Sequence, residues 1–108
     1  MRLNLKAHRV ELTDELKRHI ERRVHFGFGR FATRIRSLTI RLKDSNGPRG
    51  GVDQCCDVEV DVGLPQPVVV RERQASMFSA VALAVERAGQ AVRRRLVITH
   101  NRPEFGTR

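Results

Sequence analysis

The sequence predicts an α/β (α+β) chain folded as a two-layer sandwich. Its element order is β-α-β-β-β-α, with a mixed four-stranded sheet and both helices on one face. Three observations carry this expectation. Two long segments repeat apolar residues at helical spacing, Leu16-Ile20-Val24-Gly27-Phe31 and Met77-Val81-Ala84-Val85-Ala88-Val92. Four shorter segments alternate apolar and polar residues, the period of a half-buried strand. At 108 residues and 40% hydrophobic, the chain can enclose one core and not two.

The first strand runs from Arg2 to Lys6, with Leu3 and Leu5 to one side and Arg2, Asn4 and Lys6 to the other. Val10 and Leu12 then offer anchors to the core. Thr13-Asp14-Glu15 reads as a helix start: the threonine hydroxyl can accept from a free backbone N–H, and acids suit the positive pole. The polar side of this first helix carries Arg18, Glu21, Arg22 and His25, with Arg23 and Arg30 on the flanks. Gly27 and Gly29 cost about 1 kcal/mol each relative to alanine in a helix. They mark either close packing against the sheet or a kink. HFGFGRF is no phosphate-binding glycine loop, since it lies within a helix pattern and lacks the P-loop lysine.

Ser37 to Lys43 is the second strand, with Leu38, Ile40 and Leu42 inward and Thr39, Arg41 and Lys43 outward. The glycine-rich stretch 44–54 follows, longer than a hairpin needs, and its Arg49 is placed to reach a phosphate unless the stretch is a tolerated surface insertion. In the third strand Cys56, Val58, Val60 and Val62 alternate with Cys55, Asp57, Glu59 and Asp61. That acid row predicts cross-strand pairs with Arg41, Lys43, Arg71 or Arg73 in preference to a metal or acid/base site. Gly63 to Pro67 is a turn, and Val68 to Arg73 the fourth strand. The second helix is predicted over Ser76 to Leu96, capped by Ser76, with Arg93, Arg94 and Arg95 at its negative pole. Its polar face holds Glu86, Arg87, Gln90, Arg93 and Arg94.

A strand–helix–strand opening calls for a crossover that sets the first two strands side by side and parallel. The later strands follow as hairpins. Helices packed on one sheet face leave their charged sides on one surface, so Arg18, Arg22 and Arg23 are expected near Arg87, Arg93 and Arg94.

Charge narrows the function. Lys and Arg number 21 against 12 Asp and Glu, a net charge of +9, spread through the folded body. A domain this basic is built to meet a polyanion. No run reaches transmembrane length and Met1 opens directly into a strand pattern, from which a cytoplasmic protein with no membrane partner is expected. The adjacent Cys55 and Cys56 point to opposite faces of a strand, giving one core thiol and one surface thiol rather than a disulfide or a four-ligand metal site. His8, His19, His25 and His100 lack metal-ligand spacing, and there is no nucleophile elbow or P-loop. No catalytic residue, cofactor or small-molecule substrate is therefore expected, and the chain is read as a non-enzyme. With no Trp or Tyr and five Phe, composition gives little support to stacking on bases. Recognition would rest on phosphate, sugar and shape.

MRLNLKAHRVELTDELKRHIERRV, RIRSLTIRLKD and SMFSAVALAVERAGQAVRR together resemble the ribosome hibernation-promoting factor and ribosome-associated inhibitor (protein Y) family, in the same element order. The resemblance covers residues 1–96, with 97–108 as a short C-terminal tail. It implies binding to small-subunit rRNA and the whole ribosome, occupying the mRNA and tRNA channel at the A and P sites during stress or stationary phase. The implied contacts are Arg87 and Arg94, where the family usually has lysine, with Arg93 as an added cation and Arg18, Arg22 and Arg23 on the first helix. Lys43 and Arg49 complete the candidate RNA-binding set. Ser76 to Ala82 lacks the two acids and the tyrosine of the family segment, and Gln90 stands where arginine is common. The extra C-terminal dimerisation domain of the long members is not matched, so any ribosome dimerisation is expected to follow the short form's route; for the protein itself a monomer is favoured. A regulatory RNA- or protein-binding module of the same fold, with a non-ribosomal partner, is the competing reading; the 44–54 stretch and Leu83 on the polar helix face are its support. A hydrolase built on Asp57, Glu59 or Asp61 would need a metal-dependent activity that Asp57→Asn abolishes.

Overall fold

A computed structural model describes residues 1–45 and 53–101, with side chains through residue 97. The elements are β1 (Arg2–His8), α1 (Asp14–Phe28), a 3-10 segment (Gly29–Arg34), β2 (Ser37–Asp44), β3 (Gln54–Asp61), β4 (Val68–Gln74) and α2 (Met77–Asn101). The sheet order is β1-β2-β3-β4. β1 pairs parallel with β2, Leu3 opposite Leu38 and Leu5 opposite Ile40. The β2–β3 and β3–β4 pairs are antiparallel. The expected mixed sheet and two-layer α+β sandwich are what the chain forms.

The alternating pattern decides which face meets the helices. Leu38, Ile40, Leu42, Cys56, Val58, Val60 and Val68 are buried on that face. Against them pack Leu16, Ile20, Val24 and Phe28 of α1, and Met77, Ala80, Val81, Ala84, Val85, Ala88, Val92 and Leu96 of α2. Fully burying a Val, Leu, Ile or Phe contributes about 1.5–3 kcal/mol relative to exposure, so this shared layer holds both helices to the sheet. Val10 and Leu12 pack against its edge as anchors. Burial, with the neighbouring Asp57, Cys55 and Glu72 as lesser causes, pushes the Cys56 thiol up to about 12. It therefore stays protonated and behaves as a small hydrophobe. Cys55, its neighbour, is half-buried on the other face.

Both helix starts use the predicted caps. Thr13 Oγ1 accepts from Leu16 N–H at 3.1 Å, and Ser76 Oγ accepts from Ser79 N–H at 3.4 Å. Gly63 takes a positive φ of 84° after β3, and its N–H donates to Asp61 Oδ1 at 2.8 Å. The side chain thus fixes a turn that only glycine enters without strain.

Three expectations are corrected. The α1 stripe passes through Phe28, four residues after Val24, and not through Gly27; the chain then tightens into the 3-10 segment, leaving Phe31 half-buried. Gly27 packs against the other helix and not against the sheet. A Cβ added to Gly89 would lie 2.9 Å from the Gly27 carbonyl oxygen, and one added to Gly27 would lie 3.3 Å from Val85 Cγ1. α1 and α2 cross where neither has a side chain. Lastly, α2 continues to Asn101, so Arg93, Arg94 and Arg95 are not in its last turn, the only place where the helix dipole attracts them appreciably.

Candidate nucleic-acid interface

The glycine crossing shapes the outer surface of the helix pair. Because the backbones approach closely there, a groove opens between α1 and α2. Arg23, Phe26 and Gly27 of α1, Arg30 and Phe31 of the 3-10 segment, and Gly89, Gln90 and Arg93 of α2 line it. A second depression, along α1, is lined by Arg18, His19, Glu21, Arg22, Arg23, His25 and Phe26. Arg23 belongs to both, joining the two into one basic surface. The structure therefore brings together Arg18, Arg22, Arg23 and Arg93, from elements far apart in sequence. Arg94 is exposed farther along α2.

Ion pairing separates these arginines from others in the chain. Among the described residues, the ion pairs recorded are Arg41–Glu59 at 3.3 Å, Arg71–Asp57 at 3.6 Å and Arg87–Glu72 at 2.5 Å. None involves Arg18, Arg22, Arg23, Arg93 or Arg94. A guanidinium without a carboxylate partner keeps all five donors for an incoming anion, and its planar fork fits two phosphate oxygens at once. The surface is thus suited to gripping a phosphodiester backbone.

Arg87 differs. It reaches down to Glu72 on β4, whose side chain is only 11% exposed. Arg95 is also engaged, donating to the Gln66 carbonyl in the β3–β4 turn. Lys43 lies on the open face of the sheet, across the molecule from the helices, in a shallow depression with Lys6, His8, Arg41, Arg71 and Arg73. Arg49 and most of the 44–54 stretch lie outside the described residues, although Ser45 N–H donates to the Asp53 carbonyl at 2.9 Å where that stretch begins and ends.

The acid row behaves as the alternation predicts. Asp57 and Glu59 pair with Arg71 and Arg41 across strands, and Asp61 is held by its own turn. Among the described residues no group of three His, Cys, Asp or Glu side chains is placed to hold a metal ion. Nor is any helix among them long and apolar enough to cross a membrane.

Sequence reasoning missed one structural contact at the site's edge. His19 Nε2 donates to the Phe78 carbonyl at 3.0 Å, and the two rings lie 4.8 Å apart, pinning α1 to the first turn of α2. No local signal reveals a pair separated by 59 positions. The exposure of Phe26 was also missed, although the residue falls off the apolar stripe that runs through Leu16, Ile20 and Val24.

Compared with known proteins, residues 3–96 match the family model described as Sigma 54 modulation protein / S30EA ribosomal protein. No curated protein matches the chain in sequence. Solved structures that share its fold include the following two. A ribosomal subunit interface protein from Coxiella burnetii superposes with a TM-score of 0.71 at 13% identity, covering 90% of this chain and 99% of that one. The Protein Y N-terminal domain from Thermus thermophilus does so with a TM-score of 0.67 at 23% identity, covering 87% and 98%.

Proposed function

The chain belongs to the Sigma 54 modulation protein / S30EA ribosomal protein family, and on that premise we propose that it is a cytoplasmic, non-enzymatic translation inhibitor. It binds the small ribosomal subunit through rRNA and occupies the mRNA and tRNA channel at the A and P sites. Ribosomes so filled are kept out of initiation during stress or stationary phase. The observation that carries this reading is the cluster of unpaired arginines, Arg18, Arg22, Arg23 and Arg93, around the helix crossing. The mechanism is steric and electrostatic: the fold fills space, and its cations displace counterions from phosphates.

Co-sedimentation of the purified protein with small subunits and whole ribosomes, across a salt series, tests this. The expected result is saturable binding near one copy per ribosome, falling steeply with salt and competed by initiator tRNA. Absence of binding at low salt would instead assign the fold to another RNA or to a protein partner.

A further inference from the structure

Among the described aromatic residues Phe26 is the outlier. Phe28 is fully buried, Phe31 half-buried, and Phe78 packs on His19, but Phe26 is 86% exposed. Helical spacing sets Arg22 and Arg23 beside it, four and three residues earlier. Arg30 follows in the next segment and lines the same groove. Phe26 lines both the groove between the helices and the depression along α1, so its ring stands as a crest between two cation-lined channels. The acids sharing those channels are Glu21 and Glu86, neither in a recorded ion pair with a described residue.

Two kinds of partner cover an exposed ring. A protein interface is built around a contiguous apolar centre with charged residues thinned out. Phe26 has arginines for neighbours, and the other exposed large hydrophobics among the described residues, Met1, Val69, Phe78 and Val97, lie before β1, on β4 and on α2. An exposed aromatic flanked by arginines matches the surface of an unpaired nucleotide: a π-face for stacking with phosphates on either side.

We propose that Phe26 is a stacking platform for an unpaired base of the bound RNA, with Arg22, Arg23 and Arg30 holding the flanking phosphates. This rests on the RNA-binding reading above and assigns its aromatic contact.

The chain has no Trp or Tyr, which provides a clean probe. Phe26→Trp introduces a single indole fluorophore at the site. Titrating this variant with purified small subunits, and with a single-stranded adenine 12-mer as the simplest stacking partner, should retain affinity and quench the emission. Phe26→Ala and Phe26→Leu should each weaken small-subunit binding about tenfold, with the salt slope unchanged because no phosphate contact is lost. A leucine variant that binds as well as the wild type, or indole emission unquenched at saturating small subunits, would overturn the stacking role while leaving RNA binding intact. A wild-type protein that binds neither small subunits nor the 12-mer at low salt would remove the RNA-binding reading itself.

Discussion

Both broad faces of this sandwich are basic, yet they use their cations differently. On the open sheet face a row of acids runs through the cations, and Asp57 and Glu59 take up Arg71 and Arg41. There the charges answer one another across strands and help set register. On the helical face Glu21 and Glu86 lie among the arginines without pairing to them, and Arg18, Arg22, Arg23 and Arg93 have no ion-pair partner among the described residues. Equal residue types thus carry different work. A paired guanidinium must give up its carboxylate before it can hold a phosphate; an unpaired one has nothing to give up. Arg87 falls between the two, since it sits on α2 but spends its charge on Glu72.

The sharpest way to break this comparison is charge reversal. Combining Arg22→Glu, Arg23→Glu and Arg93→Glu should lower small-subunit affinity by at least about 100-fold, because attraction to phosphate becomes repulsion. Circular dichroism should show the fold unchanged, since all three side chains are exposed. The glycine crossing offers a second handle on the same face. Gly89→Ala drives a Cβ to 2.9 Å from the Gly27 carbonyl oxygen. It should cost about 1–3 kcal/mol in denaturant unfolding, with the m-value little altered.

The sheet contrasts with itself at its two cysteines. A thiol reagent should label Cys55 in the native protein and reach Cys56 only on unfolding. The pH dependence has a definite sign. Folding raises the Cys56 thiol from the ordinary 9.0 to about 12, so the folded chain holds that proton more tightly than the unfolded one. The resulting stability is full below about pH 9 and is lost as pH rises toward about 12. Cys56→Ala should flatten that alkaline decline in thermal melts taken against pH. The smallest effect is expected from the paired arginines: Arg41→Gln or Arg71→Gln should change stability by about 0–1 kcal/mol, these being exposed surface pairs. A large effect of either on ribosome binding would erase the distinction between the faces.

Much of the fold was legible because period and burial coincide. Alternation in β2 and β3 placed Leu38, Ile40, Leu42, Cys56, Val58 and Val60 inward, and all six are buried. The crossover rule placed β1 parallel to β2, and Thr13 announced the start of α1. The family read from the opening segment and the second helix is the one that the model match shows. What periodicity could not convey was contact between distant elements. The Gly27–Gly89 approach, the His19–Phe78 clasp and the Arg87–Glu72 pair each join segments with no shared local pattern. For the candidate site, sequence placed Arg18, Arg22 and Arg23 on α1 and Arg87, Arg93 and Arg94 on α2, as the structure has them. It was silent on which were already spoken for, because pairing depends on the neighbour that packing supplies. Glu72 shares its parity with Val68 and Val70, which puts it on the helix-facing side of β4, but period alone did not single out Arg87 as its partner.

The division of labour between the faces is tested most directly by the salt dependence of small-subunit binding in three proteins: the wild type, a helical-face variant (Arg18→Gln, Arg22→Gln, Arg23→Gln) and a sheet-face variant (Arg41→Gln, Arg71→Gln). Each lost phosphate contact should reduce the slope of log K against log salt by about 0.7–0.9. The helical-face slope should therefore flatten by about 2.1–2.7, while the sheet-face slope matches the wild type. Equal flattening in both variants, or flattening confined to the sheet-face variant, would contradict the account.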